Sequence, residues 1–295
     1  MKIIDAHSHL WLRQDTVVDG KPIRTLQDGK SWFMGEVVQM VPPFMIDGRN
    51  SAEVFLSNMN FAQVSAAVVV QEVIDGNQDA YLKKVQQKYP NRFLCCGLAT
   101  DSKSITHLAE SDFKAVAMPG HRIAAPLNSA EMMAAFKSLE QKGKILSMCL
   151  ADDLNQIAHM REVIEECPDL KIAIGHFGMV TQPHWKEQIR LAQYKNVMVE
   201  SGGITWLFNS EFYPYPSAVL AVKEAADMVG MDKLMWGSDY PRTISVITYR
   251  MSYDFFAKSK DLTETEKTLF LGENAIRFYG LKNVEEMPRI KHMAE

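Results

Sequence analysis

The chain has 295 residues, of which 47% are hydrophobic and 23% are charged, a composition typical of a folded globular protein. Lys and Arg number 32 against 36 Asp and Glu, so the formal net charge is -4, which disfavours a protein that binds nucleic acid through a basic surface. No apolar stretch reaches the ~20 residues of a membrane-spanning helix. We therefore expect a protein that acts on a small molecule, with neither nucleic acid nor membrane as partner; a homo-oligomer stays open.

The four cysteines indicate neither a disulfide framework nor a zinc site. Cys95 and Cys96 are adjacent within an apolar run, and neither they nor Cys149 and Cys167 have the Cys-x-x-Cys spacing of zinc ligands. So few cysteines in a chain of this length indicate reduced thiols. Together with an N-terminal segment that lacks a signal-peptide core, they predict a cytoplasmic protein.

Eight short apolar runs divide the chain, and amphipathic segments separate them. Their apolarity is continuous, not alternating, as in strands that are covered on both faces. The runs are residues 2–5, 65–71, 93–99, 114–118, 145–150, 171–174, 196–200 and 233–236. Strand–helix alternation repeated eight times predicts an α/β fold, a (β/α)8 TIM barrel formed by residues 1–295 as a single domain. A doubly wound open sheet is the alternative, although no glycine-rich fingerprint follows the first run.

Capping signals indicate where several helices begin and end. Asn50 and Asn128, each followed three residues later by Glu, predict two helix starts of the capping-box type. Pro90 and Gly143 stand where two helices should end. Thr263 opens a further pattern of the same kind beyond the eighth run, so we expect extra C-terminal helices.

Two connections are too aromatic for the regular alternation. Residues 11–49, a long insertion after the first predicted strand, contain two Trp and two Phe, and residues 202–216 contain Trp206 and four more aromatic residues. Loops of such length are usually functional or disordered. In a barrel both would lie over the C-terminal end of the strands, where active sites are found. Contacts between subunits or ordinary packing are the alternatives.

Two histidines end the first predicted strand, in the motif Asp5-Ala-His-Ser-His9. Residues two apart on a strand point to the same side, so His7 and His9 should converge on one point. Such a pair suits a metal ion, or an anion that needs two donors. A chance pair on the surface is the alternative.

Two more candidates follow other predicted strands. His176 comes directly after the sixth strand, between two glycines, and Asp239 follows the eighth strand just before a Tyr-Pro turn. Because the first and eighth strands of a closed barrel are neighbours, Asp239 should lie beside His7 and His9. A buried core histidine and a turn-forming aspartate are the alternatives for these two residues taken singly.

These motifs together resemble the amidohydrolase superfamily, and more closely its amidohydrolase-related (amidohydrolase 2) branch of small TIM-barrel proteins. That branch includes sugar-acid and muconate-type lactonases, the pyrone dicarboxylate lactonase, and decarboxylases similar to aminocarboxymuconate semialdehyde decarboxylase. Residues 272–280 resemble the closing helix of the branch. The resemblance implies that His7, His9 and Asp239 are metal ligands and that His176 is a ligand or a catalytic group.

The end of the fifth strand distinguishes the decarboxylase-like members of this branch from the lactonase-like ones. The decarboxylase-like members use a histidine at the end of the fifth strand as a metal ligand, and lactonase-like members often lack it. Here the fifth strand ends in Ser147-Met-Cys-Leu-Ala-Asp-Asp153, without histidine. The resemblance is therefore to lactonases more than to decarboxylases. Cys149 is a conceivable substitute ligand, but a structural cysteine is the favoured interpretation.

The expected activity is hydrolysis of a small lactone, either a sugar-acid lactone or a carboxylated one, with one divalent metal ion. Zinc is the first choice, with manganese or cobalt as alternatives. The metal would activate a water, Asp239 would act as general base, and His176 would polarise the carbonyl or stabilise the oxyanion. A metal-free lactonase, with the histidines as donors and Asp239 as base, stays open.

Six residues are candidates for binding the substrate. Arginines suit a substrate carboxylate because they can bind it through two parallel hydrogen bonds, and the carboxylates could bind sugar hydroxyls. The candidates follow the second, fourth, seventh and eighth strands, and they are Glu72, His121, Arg122, Glu200, Trp206 and Arg242. Ordinary ion-paired surface residues are the alternative for the charged ones.

Two other functions compete with lactone hydrolysis. One is the non-oxidative decarboxylation of a carboxylated aromatic or muconate-like acid, which would release CO₂. The other is a non-catalytic barrel that binds a ligand. Other hydrolytic chemistry, including amide cleavage, also stays open. The remaining histidines lie in helical or terminal stretches and are expected on the surface; they are His107, His159, His184 and His292.

Overall fold

Eight parallel strands form the centre of the computed structural model, which describes residues 1–291 and 293. They pair in chain order. The strands are β1 (Ile3–Ser8), β6 (Val64–Val69), β7 (Phe93–Leu98), β8 (Ala115–Met118), β9 (Ile145–Met148), β10 (Lys171–Ile174), β11 (Val197–Glu200) and β12 (Leu234–Met235), while β2 to β5 belong to an insertion. Each coincides with one of the predicted runs.

Hydrogen bonds between the first and last of these strands close the sheet into a barrel. The backbone N–H of Ala6 donates to Trp236 O at 2.9 Å, and that of His9 donates to Tyr240 O at 2.7 Å. The predicted (β/α)8 barrel is thus confirmed, and the open-sheet alternative is wrong. Small and medium apolar side chains fill the interior, among them Ile4, Ala66 and Ala117.

Eleven α-helices accompany the strands in the described part of the chain. They are α1 (Ala52–Ala62), α2 (Asp79–Lys88), α3 (Ser102–Ala109), α4 (Ala130–Gln141), α5 (Leu154–Glu166), α6 (Trp185–Arg190), α7 (Ile204–Leu207), α8 (Pro216–Val229), α9 (Met251–Lys258), α10 (Glu264–Thr268) and α11 (Asn274–Tyr279). The expected extra C-terminal helices are α10 and α11, and α11 contributes Phe278 and Tyr279 to the cluster that fills the barrel interior. None of the described helices is long and apolar enough to cross a membrane.

The helix caps agree with the sequence only in part. Thr263 forms the predicted capping box with Glu266 at the start of α10. The helix α1, in contrast, is capped by Ser51 and not by Asn50. The side chain of Asn50 instead donates to His9 O at 2.6 Å, so this residue supports the end of β1. At α4 the cap position is occupied by Ser129, not Asn128.

The long connection after β1 contains a small antiparallel sheet of four strands. These are β2 (Asp15–Val18), β3 (Lys21–Thr25), β4 (Lys30–Phe33) and β5 (Glu36–Gln39), paired in chain order. Tight turns at 19–20 and 34–35 join β2 to β3 and β4 to β5, and all four turn residues have positive φ. That conformation matches the twist of antiparallel hairpins. We call residues 11–49 the insertion.

Two glycines of the insertion allow a matched test of its packing. Both have positive φ, but a Cβ on Gly29 would lie 2.4 Å from Val41 O, whereas a Cβ on Gly20 would meet nothing within 4 Å. We expect Gly20→Ala to cost about 1–2 kcal/mol because of the left-handed backbone alone, and Gly29→Ala to cost clearly more. Unfolding by denaturant measures both free energies. Equal losses would contradict the packing described for Gly29.

Candidate active site

The C-terminal end of the barrel brings three of the predicted ligands together. His7 and His9 lie at the end of β1, and Asp239 follows β12, the strand next to it. The two histidine Nε2 atoms are 3.2 Å apart. Asp239 Oδ1 is 3.0 Å from His9 Nε2 and 3.6 Å from His7 Nε2. All three side chains are buried, and within the described residues their ligand atoms lie close enough together to hold a metal ion.

The segment that carries Asp239 is fastened to β1 by a buried carboxylate. Asp5 accepts hydrogen bonds from the backbone N–H of Ser238 at 2.9 Å, from the Ser238 hydroxyl at 2.5 Å and from the Tyr249 hydroxyl at 2.7 Å. Burial raises the pKa of Asp5 to about 6 despite these donors. Asp239 itself has a left-handed backbone, with φ of 58°, and its N–H donates to His7 O. The position of Asp239 is therefore set by β1.

Glu200, at the end of β11, orients His7. Its carboxylate lies 2.7 Å from His7 Nδ1 and is completely buried. It also accepts the backbone N–H groups of His176 at 3.2 Å and of Gly202 at 2.5 Å. These contacts make Glu200 a residue that positions His7, and they occupy its carboxylate with donors from the protein itself.

Three glycines make room for this carboxylate. A Cβ on Gly175, Gly202 or Gly237 would lie within 2.7–2.8 Å of a Glu200 carboxylate oxygen. Each glycine follows the end of a strand, β10, β11 or β12. The close approach of Glu200 to His7 therefore needs glycine at all three strand ends.

Asp75, which the sequence motifs do not indicate, orients His9 in the same way. Asp75 lies in a short turn after β6, and its Oδ2 is 3.0 Å from His9 Nδ1. The contact is an ion pair by distance, and neither atom has a hydrogen-bond partner among the described residues. Arg242 lies 3.1 Å from Asp75 and 3.5 Å from Asp239. The guanidinium of Arg242 therefore joins two carboxylates of the site.

The hydrogen bonds decide which nitrogen of each histidine is available. Carboxylate oxygens lie 2.7 Å from Nδ1 of His7 and 3.0 Å from Nδ1 of His9. In the neutral form of each ring, Nδ1 therefore carries the proton and Nε2 keeps its lone pair. Two lone pairs and the anionic Asp239 Oδ1 thus face one another, which is unfavourable unless a cation lies between them. Carboxylates that hold the second nitrogen of a histidine are the usual support of a metal-binding imidazole.

The distances fit a tetrahedral ion. Zinc with bonds of about 2.0–2.1 Å to nitrogen and oxygen has its ligand atoms about 3.3 Å apart, and the three distances between the Nε2 atoms and Asp239 Oδ1 are 3.2, 3.0 and 3.6 Å. The residues present therefore fit one divalent ion with three protein ligands.

The charges around the three donors set their protonation. Burial raises the pKa of Asp239, but Arg242 and His9 outweigh it and hold the pKa well below its usual range. Burial and Arg242 lower the pKa of His9, but Asp75 and Asp239 outweigh them and bring it to about 9. Without a metal, the site therefore holds a proton on His9 at neutral pH. A divalent ion would replace that proton.

His176 lies beside the three donors, in a strained segment after β10. Its ring centroid is 4.7 Å from that of His7, but it is not one of the clustered ligand atoms. Its Nδ1 donates to Gly202 O at 2.8 Å, so Nε2 is an acceptor. Burial and the neighbouring His7 lower the pKa of His176. His176 is thus neutral at pH 7 and suited to accept a proton or bind a metal; a neutral ring in this form cannot donate from Nε2 to an oxyanion.

Trp206, from the second aromatic connection, contacts Asp239 directly. Its indole N–H donates to Asp239 Oδ2 at 2.8 Å. The indole packs so closely over Gly203 that a Cβ there would lie 2.0 Å from Trp206 Nε1. The second aromatic connection therefore contributes to the site through this hydrogen bond, which orients Asp239.

The remaining predicted contacts line the mouth on the side of β6 and β8. Arg122 Nε donates to Glu72 at 3.0 Å, and His121 Nε2 lies 3.5 Å from the same carboxylate. A second, weaker ion pair of 4.0 Å joins Arg122 to Asp19 at the tip of the β2–β3 hairpin. Arg122 is partly exposed, whereas Arg242 is held by two carboxylates and its guanidinium is not free for a substrate.

A cavity of about 30 Å³ lies between these residues and the histidines. It has room for an ion and a water but not for a ring-shaped substrate. Cys149 lines it, and burial raises the pKa of its thiol to about 12, so the thiol is neutral. Of the histidines expected on the surface, His107, His159 and His184 are not part of the site, and His292 lies outside the described residues.

The family of the chain follows from a sequence match. A family model described as "Amidohydrolase" (Amidohydro_2) matches residues 4–281. The chain therefore belongs to this amidohydrolase family, and the resemblance noted in its motifs is confirmed. No curated protein matches the chain at a significant level.

Solved structures share the fold. A probable 2-pyrone-4,6-dicarboxylic acid hydrolase from Acinetobacter baumannii, with citric acid bound, is 19% identical with a TM-score of 0.70, covering 95% of this chain and 100% of that chain. An amidohydrolase from Burkholderia multivorans with bound zinc is 16% identical with a TM-score of 0.73, at the same coverage.

A decarboxylase is also similar. The 5-carboxyvanillate decarboxylase from Novosphingobium aromaticivorans, in complex with manganese and 4-hydroxy-3-methoxy-5-nitrobenzoic acid, is 16% identical with a TM-score of 0.59, covering 78% of this chain and 80% of that chain. At these identities the likeness establishes the fold alone. Enzymes named as hydrolases and as a decarboxylase share it.

The role of Glu200 can be measured through metal affinity. We expect Glu200→Gln to weaken zinc binding by about 10- to 100-fold, because the neutral amide no longer holds the Nδ1 proton of His7 as a carboxylate does. Glu72→Gln is the matched control: it removes the same charge at the same mouth, from a residue that contacts Arg122 and not His7. Competition with a chelating dye gives both affinities. Equal affinities of the two variants would contradict the role given to Glu200.

Proposed function

We propose that the protein is a metal-dependent hydrolase that opens the ester bond of a small lactone, a sugar-acid lactone or a carboxylated one. The observation that carries the proposal is the convergence of His7 Nε2, His9 Nε2 and Asp239 Oδ1 at the barrel mouth, each histidine held by its own carboxylate. The fifth barrel strand, β9, ends without a histidine, which favours hydrolysis over decarboxylation within this family.

His7, His9 and Asp239 would hold one divalent ion. Two nitrogens and one carboxylate oxygen suit zinc best, with manganese or cobalt as alternatives. When bound, the ion would supply a Lewis acid for the lactone carbonyl and would lower the pKa of a water. The zinc in one similar structure and the manganese in another are consistent with this choice.

The protein groups then have distinct tasks. Asp239 is ionised at neutral pH and takes the proton of the attacking water, with its orientation fixed by Trp206 and Arg242. The proton later passes to the leaving alkoxide of the opened ring. His176 presents an unprotonated Nε2 to the same space, as a fourth ligand or as a second proton acceptor. Its position next to His7 supports both roles.

Arg122 is the residue best placed to bind a substrate carboxylate. It stands at the mouth and is partly exposed, and among the described residues its guanidinium pairs only with Glu72 and, at 4.0 Å, with Asp19. The cavity below, which Glu72 lines, is too small for a lactone ring, so side chains around it would move when a substrate binds. Arg242 serves Asp75 and Asp239 instead.

Replacing Asp239 tests the proposed reaction. In a panel of sugar-acid lactones and carboxylated lactones, we expect acid release by the wild-type protein and a decrease of about 10²- to 10⁴-fold in kcat for Asp239→Asn, because the amide cannot accept the proton. Acid release is followed by pH-stat titration. Asp227→Asn, an exposed aspartate on α8, is the control and should keep full activity.

The same experiment separates the alternative reaction. Carboxylated aromatic and muconate-like acids are offered in parallel, and CO₂ is measured. Release of CO₂ without acid release from any lactone would replace our proposal by decarboxylation. A wild-type protein that turns over neither class would favour a barrel that only binds its ligand.

Metal removal tests the proposed ion. We expect about one equivalent of zinc, manganese or cobalt by elemental analysis, loss of activity on dialysis against a chelator, and recovery when the ion is returned. Full activity in protein that lacks metal would instead support the metal-free lactonase. In that metal-free case, a His9 with a pKa of about 9 would be protonated at neutral pH and could donate to the lactone carbonyl in place of an ion.

A further inference from the structure

The insertion reaches the active site through one buried side chain, that of Gln14. This residue precedes β2 and is completely buried. Its backbone is pinned to β3, because its N–H donates to Thr25 Oγ1 at 2.8 Å and its carbonyl accepts the N–H of Thr25 at 2.9 Å. Its position is thus set by the small sheet, not by the barrel.

The amide of Gln14 has one orientation. The hydroxyl of Ser31, on β4, donates to Gln14 Oε1 at 2.9 Å, and Gln14 Nε2 donates to Asp75 Oδ1 at 3.0 Å. Ser31 and Asp75 are both buried. Because the Asp75 carboxylate can only accept, the amide turns its donor end towards Asp75, and the Ser31 hydroxyl then donates to its oxygen.

Asp75 transmits this contact to His9. Its Oδ1 accepts from Gln14 and from Arg242, and its Oδ2 lies 3.0 Å from His9 Nδ1. Two donors, Gln14 and Arg242, therefore fix Oδ1 of this carboxylate, and Oδ2 faces the imidazole of His9. Without Gln14, Arg242 alone would hold Oδ1, and the carboxylate would be free to turn towards the guanidinium and away from His9.

We propose that Gln14 is a positioning residue of the active site, through which the insertion sets the orientation of His9. The small sheet is then part of the machinery that prepares the metal-binding imidazole, and not only a cover over the barrel mouth. This inference rests on the proposed function in one respect, the role of His9 as a group that holds the ion. The contacts from Ser31 to His9 are independent of any substrate.

The test compares two glutamines of the same insertion. Gln14→Met keeps the length of the side chain and removes its donor and acceptor. Gln39→Met is the matched control, because within the described part of the chain Gln39 Nε2 donates only to Asp28 O and Val41 O, both at 2.7 Å and both within the insertion. The readout is the ring-nitrogen NMR spectrum of His9 in metal-free protein at fixed pH, assigned with His9→Asn.

We expect Gln14→Met to shift or broaden the His9 ring signals and Gln39→Met to leave them unchanged. In addition, we expect cobalt to bind Gln14→Met about tenfold more weakly than wild type, as for other residues that support a metal ligand indirectly. Unchanged His9 signals in a folded Gln14→Met, or equal changes in both variants, would overturn the proposal. Thermal melting checks that each variant is folded.

A variant that keeps the shape covers the case in which Gln14→Met does not fold. Gln14→Glu retains the size and an acceptor for the Ser31 hydroxyl but places a second carboxylate against Asp75, so the His9 signals should move; if they do not, the inference is wrong. Because the NMR readout needs neither metal nor substrate, it remains decisive if no lactone proves to be hydrolysed. A failure of the lactonase proposal is thereby distinguished from a failure of this one.

Discussion

Three electron-rich atoms are pressed together at the mouth of this barrel, and the surrounding structure is arranged to keep them there. His7 Nε2, His9 Nε2 and Asp239 Oδ1 lie within 3.6 Å of one another. Left alone they would repel, so a proton or a metal ion must lie among them. The buried carboxylates of Glu200 and Asp75 hold the two imidazoles from behind, and Asp5 holds the segment that carries Asp239.

A few hydrogen-bond donors in fixed positions stabilise the negative charges that are buried here. Arg242 lies between Asp75 and Asp239, and Trp206 donates to the second oxygen of Asp239. Charges that are removed from water need partners of this kind, since an unpaired buried carboxylate is strongly destabilising. This is why Arg242, which by sequence alone suits a substrate carboxylate, is occupied by the site itself. Arg122, nearer the solvent, is the arginine that our proposal assigns to the substrate.

Part of this arrangement could be predicted from the sequence, for definite reasons. Strands covered on both faces are continuously apolar, so all eight barrel strands were visible, and barrel closure placed Asp239 beside His7 and His9. Asp75 follows a strand but belongs to no motif, and its contact with His9 depends on a turn that the sequence pattern does not determine. The glycines after three successive strands indicate that a buried group comes close to the backbone there. Only the structure shows that this group is the Glu200 carboxylate, which a Cβ on any of the three would contact.

The insertion was recognised as a long aromatic connection, while its four strands were not predicted. All residues of their two-residue turns have positive φ, which usually requires glycine, asparagine or aspartate. Met34 is none of these, so the second turn has no clear sequence signal. The role of Gln14 could not be predicted either, because a single glutamine forms no recognisable sequence motif. Its role arises from two hydrogen bonds that join distant parts of the chain.

The junction between β1 and β12 gives the site a further property. β12 has only two residues, and among the described residues four backbone hydrogen bonds between β1 and the segment after β12 span this seam. The side chains of Asp5, Ser238 and Tyr249 add further hydrogen bonds across it. The two histidines stand on one side of the seam and Asp239 stands on the other. An ion shared by all three would act as a clasp, tying the first barrel strand to the last and stabilising the folded protein in proportion to its affinity. During synthesis such an ion could not join the two strands until Asp239 has been made, because this residue follows the last barrel strand.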